Sequence, residues 1–263
     1  MPYFAPGDDP GANFPELLRR VGLDAASGAD GLPEQLGNLS IPHATTCVAL
    51  RYDGGVVMAG DRRATAGNLI SHRSMEKVVQ VDSHSGVAIA GAAGPAMEMI
   101  RMFLLQVEHY EKVEGTTLSL EGKANQLSTM VRSNLPAAMQ GMVVVPIFAG
   151  FDQRRGLGRL WDYDATGGRY EERDHVATGS GSLLAETVIK VRFRDALTRD
   201  EAVELAAAAL WEAADADSAT GGPDALRGIY PVIASIDGDG WVRVGDDELA
   251  TRYESIASEV SSR

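Results

Sequence analysis

His43-Ala44-Thr45-Thr46-Cys47-Val48-Ala49-Leu50 runs through Arg51-Tyr52-Asp53 into Gly54-Gly55-Val56-Val57-Met58-Ala59-Gly60-Asp61-Arg62-Arg63. Two short apolar runs flank an Asp53-Gly54-Gly55 turn, the pattern of a β-hairpin. Two threonines stand at its head and a charged Asp61-Arg62-Arg63 at its tail. The texture of the chain changes at Thr45. This places the start of the functional chain at Thr45 and the active site at that new terminus.

On the N-terminal side, residues 1–44 are a segment apart. Pro6-Gly7, Pro10-Gly11, Gly28, Gly31, Pro33, Gly37 and Pro42 disfavour long regular elements. One amphipathic patch, Phe14-Pro15-Glu16-Leu17-Leu18-Arg19-Arg20-Val21-Gly22-Leu23, suits a short helix that docks on a partner; the alternative is a disordered tail. The first residues lack the basic and apolar regions of a secretory signal, and no apolar run reaches the roughly 18 residues of a membrane helix.

Composition bounds the class. The 263 residues are 44% hydrophobic and 23% charged, enough for one sizeable core. A formal charge of −13, from 24 basic and 37 acidic residues, argues against nucleic-acid or anionic-membrane partners, which need a positive face. The single cysteine excludes an internal disulfide and fits a reducing cytoplasm, where the protein is expected to reside.

On the C-terminal side, the pattern predicts strands at 46–52, 55–60, 77–81 and 86–90, then helices over 95–113 and 119–140. Met99, Met102, Phe103, Leu105, Val107 and Tyr110 form the apolar stripe of the first helix; Leu120, Leu127, Met130, Val131 and Leu135 form that of the second. Strands follow at 142–151, 158–164, 169–171 and 175–178, then helices at 182–193 and 198–216. Strands at 230–237 and 241–244 and a helix at 246–258 complete the chain. Strands in hairpins and helices in pairs point to an α+β fold: two antiparallel sheets back to back, each covered by a helix pair.

Metal chemistry is not expected. The five histidines are scattered, and none pairs with another ligand at metal spacing. No cofactor is expected either. Gly91-Ala92-Ala93-Gly94 and Gly179-Ser180-Gly181-Ser182 lack the third glycine of a dinucleotide fingerprint and the Lys-Ser/Thr of a phosphate loop. Cys47, with His43 as base, offers a thiol nucleophile; as a small residue in a strand it reads better as core. Thr45 carries the stronger case. Cleavage at the composition boundary would give it a free α-amino group, with a pKa near ~8, as general base. Asp61 and Lys77, at the ends of neighbouring strands, would bracket its hydroxyl and favour the alkoxide-like form. Gly91, at a strand end, would offer its N–H to an oxyanion.

These residues resemble the β-type subunits of the 20S proteasome, of the bacterial, actinobacterial type, within the N-terminal-nucleophile hydrolases. The likeness covers residues 45–263. It rests on Thr45-Thr46-Cys47-Val48-Ala49-Leu50, the stretch from Gly54 to Arg63 with Thr65, Glu108-His109-Tyr110-Glu111-Lys112, Ala137-Ala138-Met139-Gln140-Gly141, Gly179-Ser180-Gly181-Ser182 and Asp217-Ser218-Ala219-Thr220-Gly221-Gly222-Pro223-Asp224. The resemblance implies a four-layer αββα sandwich, with residues 1–44 a propeptide removed by cleavage between Ala44 and Thr45. It makes Thr45 the nucleophile, Asp61 and Lys77 its support, and Gly91 the oxyanion donor. Ser180, Asp217 and Thr220 become the groups that orient the amine and its water. Thr65 and Gly91 correspond to backbone clamps that extend a substrate as an added strand. Ala64, Met75, Val79, Ile89, Ala93 and Met97 correspond to the first specificity pocket, whose apolar lining implies cleavage after large hydrophobic residues.

The chain departs from the family at two places. Thr220 stands where serine is usual, keeping a hydroxyl, and Ala44 stands where glycine usually precedes the nucleophile. Glycine tolerates backbone conformations that alanine resists, so the resemblance leads us to expect slow or assembly-dependent self-cleavage. The implied partners are α-type subunits, other β subunits in seven-membered rings, an ATP-dependent unfoldase and protein substrates. Two other readings stay open: an N-terminal-nucleophile amidase acting on a small amide, and a non-catalytic ring subunit.

Overall fold

The computed structural model describes residues 45–262, so the 1–44 segment, its amphipathic patch and Ala44 lie outside the described residues. Strands β1 (Thr46–Tyr52) and β2 (Gly55–Gly60) form the expected hairpin, with Cys47 opposite Gly60 and Tyr52 opposite Gly55. Both are buried on both faces. Side chains alternate along a strand, so Val48 and Leu50 enter one apolar layer while Cys47 and Ala49 enter another.

After a two-stranded excursion, β3 (Ala64–Ala66) and β4 (Leu69–His72), the chain enters β5 (Val78–Asp82) and β6 (Ser85–Gly91). Helix α1 (Ala93–Glu114) follows and ends at Gly115, whose φ of 66° lets its N–H close on Glu111. Helix α2 (Leu120–Ser133) is capped by Ser119 Oγ, which accepts from the Gly122 N–H. The predicted second helix breaks at Asn134. Pro136, lacking an N–H and clashing with the turn before it, is confined to the first turn of a separate short helix, α3 (Leu135–Ala138). Strands β7 (Val144–Asp152), β8 (Leu157–Tyr163), β9 (Arg169–Glu172) and β10 (His175–Gly179) lead to helices α4 (Ser182–Arg192) and α5 (Arg199–Ala216). Thr198 and Glu201 open α5 with a reciprocal capping box. Strands β11 (Val232–Asp237) and β12 (Gly240–Arg243) and helix α6 (Asp246–Ser261) end the fold.

Two five-stranded antiparallel sheets result, one ordered β10-β1-β2-β11-β12 and the other β5-β6-β7-β8-β9. Three apolar layers hold them. Cys47, Met58, Val78, Ile147 and Leu160 pack between the sheets. Phe103, Leu127, Phe148 and Trp161 lie under α1 and α2. Leu50, Ile189, Leu210, Ile233 and Tyr253 lie under α4, α5 and α6. Each such fully buried side chain contributes roughly 1.5–3 kcal/mol of transfer free energy. This is the αββα sandwich, with α6 added to one helix layer. Within α1 only part of the expected stripe turns inward. Met99, Phe103 and Val107 are buried, whereas Met102, Leu105 and Tyr110 are exposed.

Candidate active site

Thr45 immediately precedes β1 and is buried, at 4% exposure. Its carbonyl is fixed by the end of β10: the Ser180 N–H donates to Thr45 O at 2.8 Å. Gly179 makes this approach possible. Its φ is +100°, and a Cβ there would stand 1.8 Å from the Thr45 carbonyl oxygen. The Thr45 nitrogen in turn donates to Ser180 Oγ at 3.4 Å.

Asp61 lies just beyond β2 and is fully buried. Its Oδ1 accepts from Lys77 Nζ at 2.7 Å and from the Thr46 N–H at 2.9 Å. Its Oδ2 accepts from the Arg63 N–H at 2.8 Å and the Gly221 N–H at 2.9 Å. Lys77 is 3% exposed and also donates to the Arg63 carbonyl at 2.5 Å. A buried ion pair offsets its desolvation cost only when further hydrogen bonds satisfy both partners; these bonds do so for the carboxylate.

A second polar group reaches Thr45 through Ser180. Ser180 Oγ donates to Asp217 Oδ2 at 2.5 Å, and Thr220 Oγ1 donates to the same oxygen at 2.6 Å. The Ala219 N–H reaches Asp217 Oδ1 at 3.1 Å. Burial pushes the Asp217 carboxyl up, but these donors, with the Arg63 charge nearby, outweigh it and hold the group below the usual carboxylate range. Arg63 spans the two groups, its guanidinium donating to the Ser218 carbonyl at 2.9 Å.

Beside Thr45 and Lys77 opens a cavity of about 110 Å³, lined also by Ala64, Thr65, Met75, Glu76, Ile89, Gly91, Ala93, Ala96 and Met97. Of the residues expected in the specificity pocket, Ala64, Met75, Ile89, Ala93 and Met97 line it. Val79 packs against the apolar layer under α1 and α2 that also contains the cavity residues Ile89 and Ala96. Glu76 and Ala96 were not anticipated. Glu76 carries a charge to the rim, where the Arg243 guanidinium pairs with it at 2.8 Å. Gly91 ends β6 with φ +116°, and a Cβ there would lie 2.1 Å from the Val143 carbonyl oxygen. Thr65 Oγ1 is buried without a partner among the described protein groups.

The thiol alternative does not survive this geometry. Cys47 is fully buried, donates only weakly to the Ile89 carbonyl at 3.8 Å, and burial pushes its pKa up to about 12. A thiol so placed stays protonated and inert. His43, its suggested base, lies outside the described residues. Among the described residues no cluster of His, Cys, Asp and Glu suits a metal ion, and no helix is long and apolar enough to cross a membrane.

Several participants escaped sequence reading: the Thr46 hydroxyl, the Arg63 carbonyl, and the N–H groups of Gly181 and Gly221. The glycines sit inside the quoted motifs, and their lack of side chain was the available signal. A Cβ on Gly181 would lie 2.4 Å from Thr46 Oγ1, and one on Gly221 would lie 2.8 Å from the Arg63 Cβ.

Comparison with known proteins finds close sequence relatives. A family model described as proteasome subunit matches residues 41–226. A protein named proteasome subunit beta from Acidimicrobium ferrooxidans is 54% identical, with 100% of this chain and 96% of that protein covered. Proteins of the same name from Streptomyces griseus and Acidothermus cellulolyticus are each 49% identical, with 97% of this chain and 89% of each relative covered.

Proposed function

The chain belongs to the proteasome subunit family, and from that membership we propose that it is a catalytic β subunit of a 20S core, a threonine endopeptidase made as a zymogen. One observation carries the reading. Two polar groups, Asp61–Lys77 and Ser180–Asp217–Thr220, converge on Thr45 at the mouth of an apolar cavity.

In the intact chain the Thr45 nitrogen is an amide and cannot act as a base. Self-cleavage begins when Thr45 Oγ1 attacks the Ala44 carbonyl. The O–C bond forms, the C–N bond breaks, and the hydroxyl proton passes to the departing nitrogen. Water then hydrolyses the ester. The freed amine has an ordinary pKa of about 7.7–8.0 and serves as general base in each later turnover. It takes the Oγ1 proton as the oxygen attacks a substrate carbonyl, while the Lys77 ammonium, held by Asp61, favours negative charge on that oxygen. The Gly91 N–H donates to the oxyanion. The scissile C–N bond breaks, the leaving amine takes the proton from the α-ammonium, and an ester remains on Thr45. Water, deprotonated by the amine, releases the acid product and restores the hydroxyl.

The apolar lining by Ala64, Met75, Ile89, Ala93 and Met97 supports a preference for large hydrophobic residues. The Thr65 and Gly91 backbones would clamp the substrate as an added strand. Membership carries assembly with α-type subunits in rings. Seven-membered rings, feeding by an ATP-dependent unfoldase and a cytoplasmic setting complete the proposal, and Ala44 in place of glycine makes maturation slow outside the assembly.

Thr45→Ala tests the assignment. It should fold and assemble, keep residues 1–44 and cleave no hydrophobic fluorogenic peptide, while the wild-type chain should yield Thr45 on N-terminal sequencing. Normal peptidase activity in that variant would overturn it. A wild-type enzyme that hydrolyses only small amides would favour the amidase reading. An assembled subunit whose Thr45 resists a threonine-directed covalent inhibitor would favour a purely structural one.

A further inference from the structure

Thr46, the residue after the nucleophile, is fully buried and has no place in the reaction described above. We infer that Thr46 is a positioning residue of that reaction: its hydroxyl and its backbone N–H tie the Asp217 group to the Asp61–Lys77 pair and so hold Thr45 between them. The inference rests on the threonine-protease reading.

Proton counting gives every hydroxyl in the chain of bonds one orientation. The Asp217 carboxylate only accepts, so Ser180 and Thr220 each commit their single hydroxyl proton to its Oδ2, at 2.5 and 2.6 Å. Thr220 Oγ1 is then an acceptor toward Thr46 Oγ1, 2.6 Å away, and Thr46 must be the donor. With its own proton spent, Thr46 Oγ1 accepts from the Gly181 N–H at 3.1 Å. The sequence Gly181 N–H, Thr46 O–H, Thr220 O–H, Asp217 therefore points one way. The same counting leaves Ser180 Oγ an acceptor toward the Thr45 nitrogen.

The backbone of Thr46 makes the other connection. Its N–H donates to Asp61 Oδ1 at 2.9 Å, the oxygen that also receives Lys77. Asp61 N–H closes the loop on the Thr46 carbonyl at 3.1 Å. Thr46 is thus bonded to both catalytic groups and, covalently, to Thr45. A buried threonine that merely fills space would be replaced by valine, of the same shape, without kinetic consequence. Loss of the hydroxyl here removes the donor to Thr220 and the acceptor for a buried N–H.

The mature assembled enzyme, its sites counted with a threonine-directed covalent inhibitor, should be assayed on a peptide bearing a large hydrophobic residue. Thr46→Val should lower kcat about tenfold or more, the effect of one or two buried hydrogen bonds lost, with KM within about twofold. Thr46→Ser, which keeps the hydroxyl, should stay within about threefold of wild type. In a Thr220→Val background the further effect of Thr46→Val should shrink, because the two act through one bond. A Thr46→Val enzyme with normal kcat, a Thr46→Ser loss as deep as that of valine, or independent effects with Thr220→Val would each overturn the inference. If Thr46→Val does not assemble, the serine variant decides alone: a deep loss in kcat overturns, near-normal turnover supports. Thr45→Ala, run in parallel, separates the two levels. Activity in that variant removes the nucleophile assignment itself, whereas an inactive Thr45→Ala beside a normal Thr46→Val removes only the role of Thr46.

Discussion

Asp61 Oδ1 lies 2.7 Å from the Lys77 ammonium, and solvent reaches almost none of either side chain. Removing the cation leaves a carboxylate still held by the N–H groups of Thr46, Arg63 and Gly221 but with its buried charge uncompensated. Lys77→Met should therefore cost about 3–5 kcal/mol of stability and leave the precursor uncleaved. Chemical denaturation and intact mass measure the two effects; a processed, active variant would show that the pair is not needed.

Gly179→Ala places a methyl group where the Thr45 carbonyl already sits, at a φ that L residues rarely adopt. The variant should lose processing and melt well below wild type. Gly94→Ala is the control, since its Cβ meets nothing within 4 Å inside α1. It should raise stability by up to about 1 kcal/mol. Equal melting temperatures for the two variants would contradict the geometry.

Asp217 gives a pH signature. Its carboxyl titrates below the usual range when folded, so the folded state is favoured above the unfolded pKa of about 3.9. That advantage disappears as pH falls through the depressed folded value. Asp217→Asn should be less stable than wild type at neutral pH, and the gap should narrow on acidification through this window. Urea denaturation at a series of pH values measures it. A gap that stays constant across the window would mean that folding does not lower the Asp217 pKa.

Ala93 opens α1 at the lip of the cavity and is exposed, so a larger side chain there disturbs little of the core. Ala93→Leu should narrow the about 110 Å³ space and lower kcat/KM for peptides cleaved after large hydrophobic residues by about tenfold. Peptides with alanine at that position should be spared. Uniform loss across the panel would mean that the cavity does not select the residue before the cut.

Much of this was legible because period and chemistry agreed locally. The β1–β2 hairpin, the capped start of α5 and the residues around Thr45 each announce themselves within a few positions. What was not legible depends on partners far along the chain. β10 pairs with β1 although it follows β9 directly, and only the closed sandwich decides that crossing. The β3–β4 excursion escaped notice because Leu69 to His72 are all exposed, leaving no in-out alternation to read. Met102, Leu105 and Tyr110 matched an inward stripe by residue type, yet α1 turns them outward. Val79 was assigned to the cavity through a resemblance, and it packs with Ile89 and Ala96, which line that cavity.

The bond from the Ser180 N–H to the Thr45 carbonyl joins residues 135 positions apart, and that from Gly221 to Asp61 joins residues 160 apart. A growing polypeptide makes Thr45 early, but Asp217, Thr220 and Gly221 follow only once α5 has been synthesised. On the ribosome the proposed nucleophile is therefore still without part of its hydrogen-bonded surroundings. Order of synthesis keeps the nascent chain harmless before any partner arrives.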